Sequence, residues 1–88
     1  MANTLRTELG EQLMNWRMTH GEILYDMAKG SGLSCSVISA IETGRKEPTC
    51  EQLYTLLMYV LKKEPRYDLP PDMQARWERA LKIFGKLL

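Results

Sequence analysis

Cysteine and histidine are scarce in this 88-residue sequence, which contains two cysteines and one histidine. Cys35 and Cys50 lack the paired spacing and the additional ligands of a zinc site. A secreted domain of this size would usually carry more cysteines. We therefore expect a cytoplasmic protein whose thiols are reduced and which binds no metal and no cofactor.

Long apolar segments and a strong net charge are also missing. No stretch approaches the roughly 20 apolar residues that span a bilayer, and the N-terminus lacks the pattern of a signal peptide, so we expect no membrane partner. Twelve basic residues against 11 acidic ones give a net charge of +1, whereas nucleic-acid binders usually have a larger basic excess.

No catalytic constellation or cofactor motif is visible around His20 or elsewhere, so the sequence predicts that the protein is not an enzyme.

What the sequence does contain is helical periodicity along nearly its whole length. We predict five helices, no strand and a single domain. In the first helix Leu5, Leu9, Leu13 and Trp16 fall on one face. Gly10 lies among them at a cost of about 1 kcal/mol relative to alanine, which indicates a close packing neighbour.

Two short helices with a glycine turn between them are predicted next. The second helix should run from about Glu22 to Lys29 and end at the segment Gly30-Ser31-Gly32. Its expected buried residues are Ile23, Met27 and Ala28. Ser34 is the predicted N-cap of the third helix, and Gly44 should end that helix in a left-handed conformation.

The third helix has two different faces. Its apolar stripe consists of Val37, Ile38 and Ile41. The opposite face carries small side chains, namely Cys35, Ser36, Ser39, Ala40 and Thr43. Serine and threonine hydroxyls can bond to several base edges, although small polar residues also occur on ordinary solvated helix faces.

The fourth and fifth helices complete the predicted fold. Thr49 and Gln52 have the spacing of a capping box at the start of the fourth helix, whose expected buried face is Leu53, Leu56, Leu57, Val60 and Leu61. The last helix, roughly Pro71 to Leu88, aligns Met73, Trp77, Ala80, Leu81, Phe84 and Leu88 on one side. Two explanations of this stripe remain open, namely packing onto the domain and pairing with a second subunit.

Four segments of the sequence resemble one known family. They are Leu9-Gly10-Glu11 leading to Arg17, then Ala28 with Gly32-Leu33-Ser34, then Ile38-Ser39-Ala40-Ile41-Glu42-Thr43-Gly44, and finally Arg45-Lys46-Glu47-Pro48-Thr49. Together they look like the lambda-repressor-like helix-turn-helix DNA-binding domains (the Cro/CI or XRE type). The family commonly begins its second helix with a Thr or Ser cap and a phosphate-binding Gln, where this sequence has Ile23 and Leu24.

This resemblance implies an all-α fold, a compact five-helix bundle of the lambda-repressor-like helix-turn-helix type with an extra C-terminal helix. The single domain would cover residues 1–88, with its core in 5–61. The segment 70–88 would serve for dimerisation or packing.

The resemblance also implies the roles of particular residues. The base-facing set on the third helix would be Ser34, Cys35, Ser36, Ser39, Ala40 and Thr43. Arg45 and Lys46 would contact phosphates, and Arg17 and Glu42 would form a structural ion pair. The dimerisation set would be Met73, Trp77, Leu81, Phe84 and Leu88.

The leading hypothesis is a sequence-specific transcriptional regulator, a bacterial or phage repressor that binds double-stranded DNA at a two-fold operator as a homodimer. A second hypothesis is an antitoxin that binds DNA through the same domain and a toxin through another surface. A third is a protein-interaction module that keeps the fold without binding DNA.

Overall fold

The computed structural model describes residues 8–85, which form five α-helices. They are α1 (Glu8–Thr19), α2 (Leu24–Ser31), α3 (Cys35–Glu42), α4 (Cys50–Lys63) and α5 (Pro71–Phe84). No strand occurs between residues 8 and 85, which confirms the all-α prediction. None of the helices in this range is both long and apolar enough to cross a membrane. The chain divides between Glu47 and Pro48 into two units.

In the first unit, α3 packs against both α1 and α2. The predicted face of α1 is buried at Leu9, Leu13 and Trp16, and the predicted Leu5 lies outside the described residues. Gly10 is buried on the same face. A Cβ added there would lie 2.5 Å from the carbonyl oxygen of Ile41 and 2.7 Å from that of Glu42. This glycine therefore allows the backbones of α1 and α3 to approach closely.

Helix α2 begins later than the sequence analysis predicted. Ile23 is the N-cap, with extended backbone angles, and its side chain is 61% exposed, so its predicted burial was wrong. An isoleucine cannot accept a hydrogen bond through its side chain. Instead, Asp26 Oδ2 accepts one from the backbone amide of Ile23 at 3.1 Å, which is one half of a capping box.

The turn after α2 depends on one glycine. The helix continues through Gly30 and Ser31, contrary to the predicted break at Gly30. Gly32 has φ 83° and its amide donates to the carbonyl of Ala28 at 2.8 Å. The hydroxyl of Ser31 accepts from the amide of Leu33 at 3.3 Å. Gly32 alone therefore supplies the left-handed residue that ends the helix.

In the second unit, α5 packs along α4. The predicted capping box at the start of α4 is present, because Thr49 and Gln52 each donate a backbone amide to the other's side chain at 3.0 Å. Leu53, Leu56, Leu57 and Val60 are buried as predicted, and Leu61 is half-buried. The ring of Tyr54 contacts Trp77 and Phe84, with centroids 5.5 and 5.6 Å apart.

The residues predicted for dimerisation differ in their exposure. Met73 is only 1% exposed, so its side chain belongs to the interior of the chain rather than to a surface that a second copy could reach. Trp77 and Phe84 are half-buried against Tyr54. Leu81 is 39% exposed, and Leu88 lies outside the described residues. The intramolecular explanation of the stripe therefore accounts for Met73.

Candidate nucleic-acid interface

Helix α3 is fixed at its start by local hydrogen bonding and along its length by burial of one face. The hydroxyl of Ser34 accepts from the amide of Val37 at 3.2 Å, which is the predicted N-cap. Ile38 and Ile41 are 1% exposed, and Val37 is half-buried. This inward stripe leaves the opposite side of α3 as the face open to solvent.

The predicted base-facing residues lie along that outer side. Ser34 and Ser36 are exposed, and the others are half-buried, namely Cys35, Ser39, Ala40 and Thr43. Four of the six line an open groove of about 390 Å³, which Leu24 of α2 and Arg45 complete. Of the residues that the structure describes, Arg45 is the only charged one in this lining, so this part of the chain presents a cation and no carboxylate to a ligand in the groove.

A hydrogen-bonded link between Thr43 and Arg45 was not predicted from the sequence. The Thr43 hydroxyl donates to the carbonyl of Ser39 at 2.8 Å and accepts from Arg45 Nε at 3.0 Å. Gly44, with φ 80°, reverses the chain between them. The signal in the sequence is the short spacing across a helix-ending glycine. The bond holds the guanidinium at the edge of the groove and leaves the methyl group of Thr43 for other contacts.

Arg17 and Glu42 form the ion pair that the resemblance implied. Arg17 Nε donates to Glu42 Oε2 at 2.8 Å, and Nη2 donates to Oε1 at 3.0 Å. Nη1 donates to the carbonyl of Glu22 at 2.9 Å. The hydrogen bond to Glu42 is the main cause that raises the pKa of Arg17 above its ordinary value. One guanidinium thus joins α1, the loop after it and the end of α3.

The start of α2 is apolar, where the resembled family has a polar phosphate contact. Ile23 and Tyr25 are 61% and 62% exposed, and Met18, near the end of α1, is 63% exposed. Leu24 faces the groove along α3. Backbone amides at the start of α2 can donate hydrogen bonds to a phosphate. The apolar side chains of Ile23 and Leu24 cannot.

The single histidine and the two cysteines are the remaining residues that could carry out chemistry or bind a metal. Nδ1 of His20 donates to the carbonyl of Trp16 at 2.8 Å, and the two rings stack with centroids 4.2 Å apart. Cys35 and Cys50 are free thiols. Within residues 8–85 no cluster of three or more His, Cys, Asp and Glu side chains could hold a metal ion.

Comparison with protein-family models, with curated proteins and with solved structures found no match to this chain.

Proposed function

We propose that this protein is a sequence-specific DNA-binding transcriptional regulator that inserts α3 into the major groove. The observation that carries the proposal is the division of α3 into a buried face at Ile38 and Ile41 and an open groove lined by Ser36 and Ser39. An α-helix with its side chains is roughly 10–12 Å in diameter, which fits the width of about 12 Å of the major groove.

The chemistry of the outer face of α3 supports contacts with base edges. The hydroxyls of Ser36 and Ser39 can donate or accept, and the methyl groups of Ala40 and Thr43 suit the thymine methyl. This face has no Arg, Asn or Gln for bidentate base contacts, so we expect DNA shape to contribute to specificity. Arg45 and Lys46 would bind phosphates beside the groove and fix the orientation of α3.

The proposal includes a homodimer that acts as a repressor on a two-fold operator. One eight-residue helix contacts few base pairs, and two copies on half-sites about 34 Å apart would lengthen the recognised sequence. Two copies would also double the phosphate contacts, which matters for a chain with a net charge of only +1.

The experiment is fluorescence anisotropy of duplex DNA with the full chain and with its Ser36→Asp variant. Ser36 is exposed in the first turn of α3, where a carboxylate favours the helix, so the variant should fold. Its charge should weaken DNA binding by at least about tenfold. Asn15→Asp makes a similar change of charge at an exposed position of α1 and should leave affinity within about twofold. Equal losses in both variants would contradict insertion of α3.

A second candidate function is protein binding, as an antitoxin or as an interaction module without DNA binding. The observation that favours it is the exposure of Met18, Ile23 and Tyr25 around the start of α2. Contiguous exposed apolar surface often marks an interaction site, and these three residues are near one another along the chain. A toxin gene beside the gene for this chain would favour the antitoxin. DNA binding that is absent at low salt would favour the interaction module.

A further inference from the structure

The second unit contains a groove of about 420 Å³ that the proposed DNA binding does not use. It is lined by α5, by the connection before α5 and by Leu61 near the end of α4. Leucine side chains and the rings of Tyr67 and Trp77 provide apolar surface, and Asp68 and Glu78 provide two carboxylates. Among residues 8–85, no lysine, arginine or histidine lines the groove.

The two carboxylates of the groove are not neutralised within the described part of the chain. Asp68 and Glu78 are exposed, and neither has an ion-pair partner among residues 8–85. Glu78 Oε2 accepts only a long hydrogen bond, 3.4 Å, from Gln74 Nε2. The pKa of Tyr67 is raised by burial and then by the negative charges of Glu64 and Asp68. Both charged side chains that the described part of the chain contributes to the lining are therefore negative, and a negative lining attracts cations.

The chemistry of the groove selects among cations. A hydrated divalent ion prefers a shell of several oxygen ligands, whereas this groove offers two carboxylates beside leucine side chains and two aromatic rings. A lysine or arginine side chain has an apolar stem and a cationic end, which matches both features. The guanidinium also stacks on aromatic rings and pairs with carboxylates through two hydrogen bonds. An arginine can therefore contact both the aromatic rings and the carboxylates of the groove more fully than a lysine can.

We propose that this groove binds an arginine side chain presented by a segment of a partner protein. The stem lies against Leu81 and Trp77, and the guanidinium lies between the carboxylates of Asp68 and Glu78. Apolar residues next to the arginine cover the exposed part of Leu81, which is 39% exposed. This interaction is independent of α3, so it stands whether or not the chain binds DNA.

The probe is the acetylated and amidated tripeptide Leu-Arg-Leu, titrated into the ¹⁵N-labelled full chain and followed by NMR. We expect saturable shifts of the Trp77 indole N–H and of the backbone amides of Asp68 and Glu78. The same peptide with citrulline in place of arginine keeps the shape and loses the charge. It should bind at least about fivefold more weakly.

Matched variants test the two carboxylates. Asp68→Asn and Glu78→Gln should each weaken binding of the tripeptide by about two- to fivefold. Glu51→Gln removes an exposed carboxylate that does not line the groove and should leave binding unchanged. Equal binding of the citrulline peptide, or shifts confined to residues outside the groove, would overturn the proposal. The NMR signals of groove residues could instead shift on dilution of the free protein and not on addition of the peptide. That result would assign the groove to contact with a second copy and would also overturn the proposal.

Discussion

The guanidinium of Arg17 and the carboxylate of Glu42 pair through two hydrogen bonds, of 2.8 and 3.0 Å, that connect α1 to the end of α3. The side chain of Glu42 is 2% exposed and that of Arg17 is 13% exposed. A carboxylate buried to this extent is costly unless it is paired. The pair therefore fixes the helix proposed to enter DNA against the rest of its unit.

We predict that Arg17→Ala lowers the free energy of unfolding by about 2–4 kcal/mol, because it leaves Glu42 buried without its partner. The measurement is a double-mutant cycle with Glu42→Gln by urea denaturation. Arg76→Ala is the control, because Arg76 pairs with Asp72 at 3.5 Å on an exposed surface and should cost less than about 1 kcal/mol. Additive losses for Arg17 and Glu42 would show that their pairing does not stabilise the fold.

Gly10→Ala should destabilise the chain by at least about 2 kcal/mol in spite of the better helix propensity of alanine. The added methyl group would overlap the backbone carbonyls of Ile41 and Glu42, which cannot move without shifting α3. Gly85→Ala is the control, since its Cβ would meet the side chain of Leu81 at ordinary distances, 3.5 Å from Cδ2 and 3.9 Å from Cβ. That change should be neutral or stabilising by up to about 1 kcal/mol. Thermal unfolding measures both variants, and a stable Gly10→Ala protein would refute the close approach of α1 and α3.

Tyr54→Phe should leave stability unchanged or raise it by up to about 1 kcal/mol. The hydroxyl of Tyr54 is buried and has no hydrogen-bond partner in the part of the chain that the structure describes. The contacts of its ring with Trp77 and Phe84 do not need the hydroxyl. Tyr25→Phe, at a side chain that is 62% exposed, controls for loss of a solvated hydroxyl. A loss above about 1 kcal/mol in chemical denaturation would mean that the Tyr54 hydroxyl is satisfied.

Thr43→Val should weaken binding to all DNA sequences equally, because the lost hydroxyl no longer holds Arg45 at the edge of the groove. Arg45→Ala should reduce the slope of log K against log salt by about 1, as loss of one phosphate contact does. The double variant should bind no more weakly than Arg45→Ala alone. Thr55→Val is the control, because it removes a similar hydroxyl bond, to the carbonyl of Glu51, on α4. A changed preference for one base with an unchanged salt slope would assign the Thr43 hydroxyl to base contact instead.

The sequence predicted the features that depend on neighbouring residues. The caps at Ser34 and Thr49 and the left-handed Gly44 follow from local chemistry, and all three are present. The buried residues of α1 and α4 follow from helical spacing in the same way.

The predictions were wrong where a helix began or ended at another residue than expected. They were also wrong where an apolar side chain packs within the chain and not against a second subunit. Ile23 was expected to be buried because α2 was predicted to begin at about Glu22. It is instead the N-cap of α2, and its side chain is exposed. Gly30 was taken as a helix breaker, although Gly32 alone is enough to end α2. Met73 was assigned to a dimer contact because an apolar stripe does not reveal whether its partner is intramolecular. The bond between Thr43 and Arg45 depends on side-chain rotamers, which spacing does not specify.

Selection of bound duplexes from a random DNA pool tests the role of α3 most directly. The full chain should enrich a two-fold symmetric site whose half-sites are centred about 10 base pairs apart. Ser39→Ala should alter the preferred base at one position of each half-site, at a cost of about 1–3 kcal/mol there, while the free energy of unfolding changes little. If no sequence is enriched and no salt-dependent binding is found at low ionic strength, α3 is not a DNA-recognition helix.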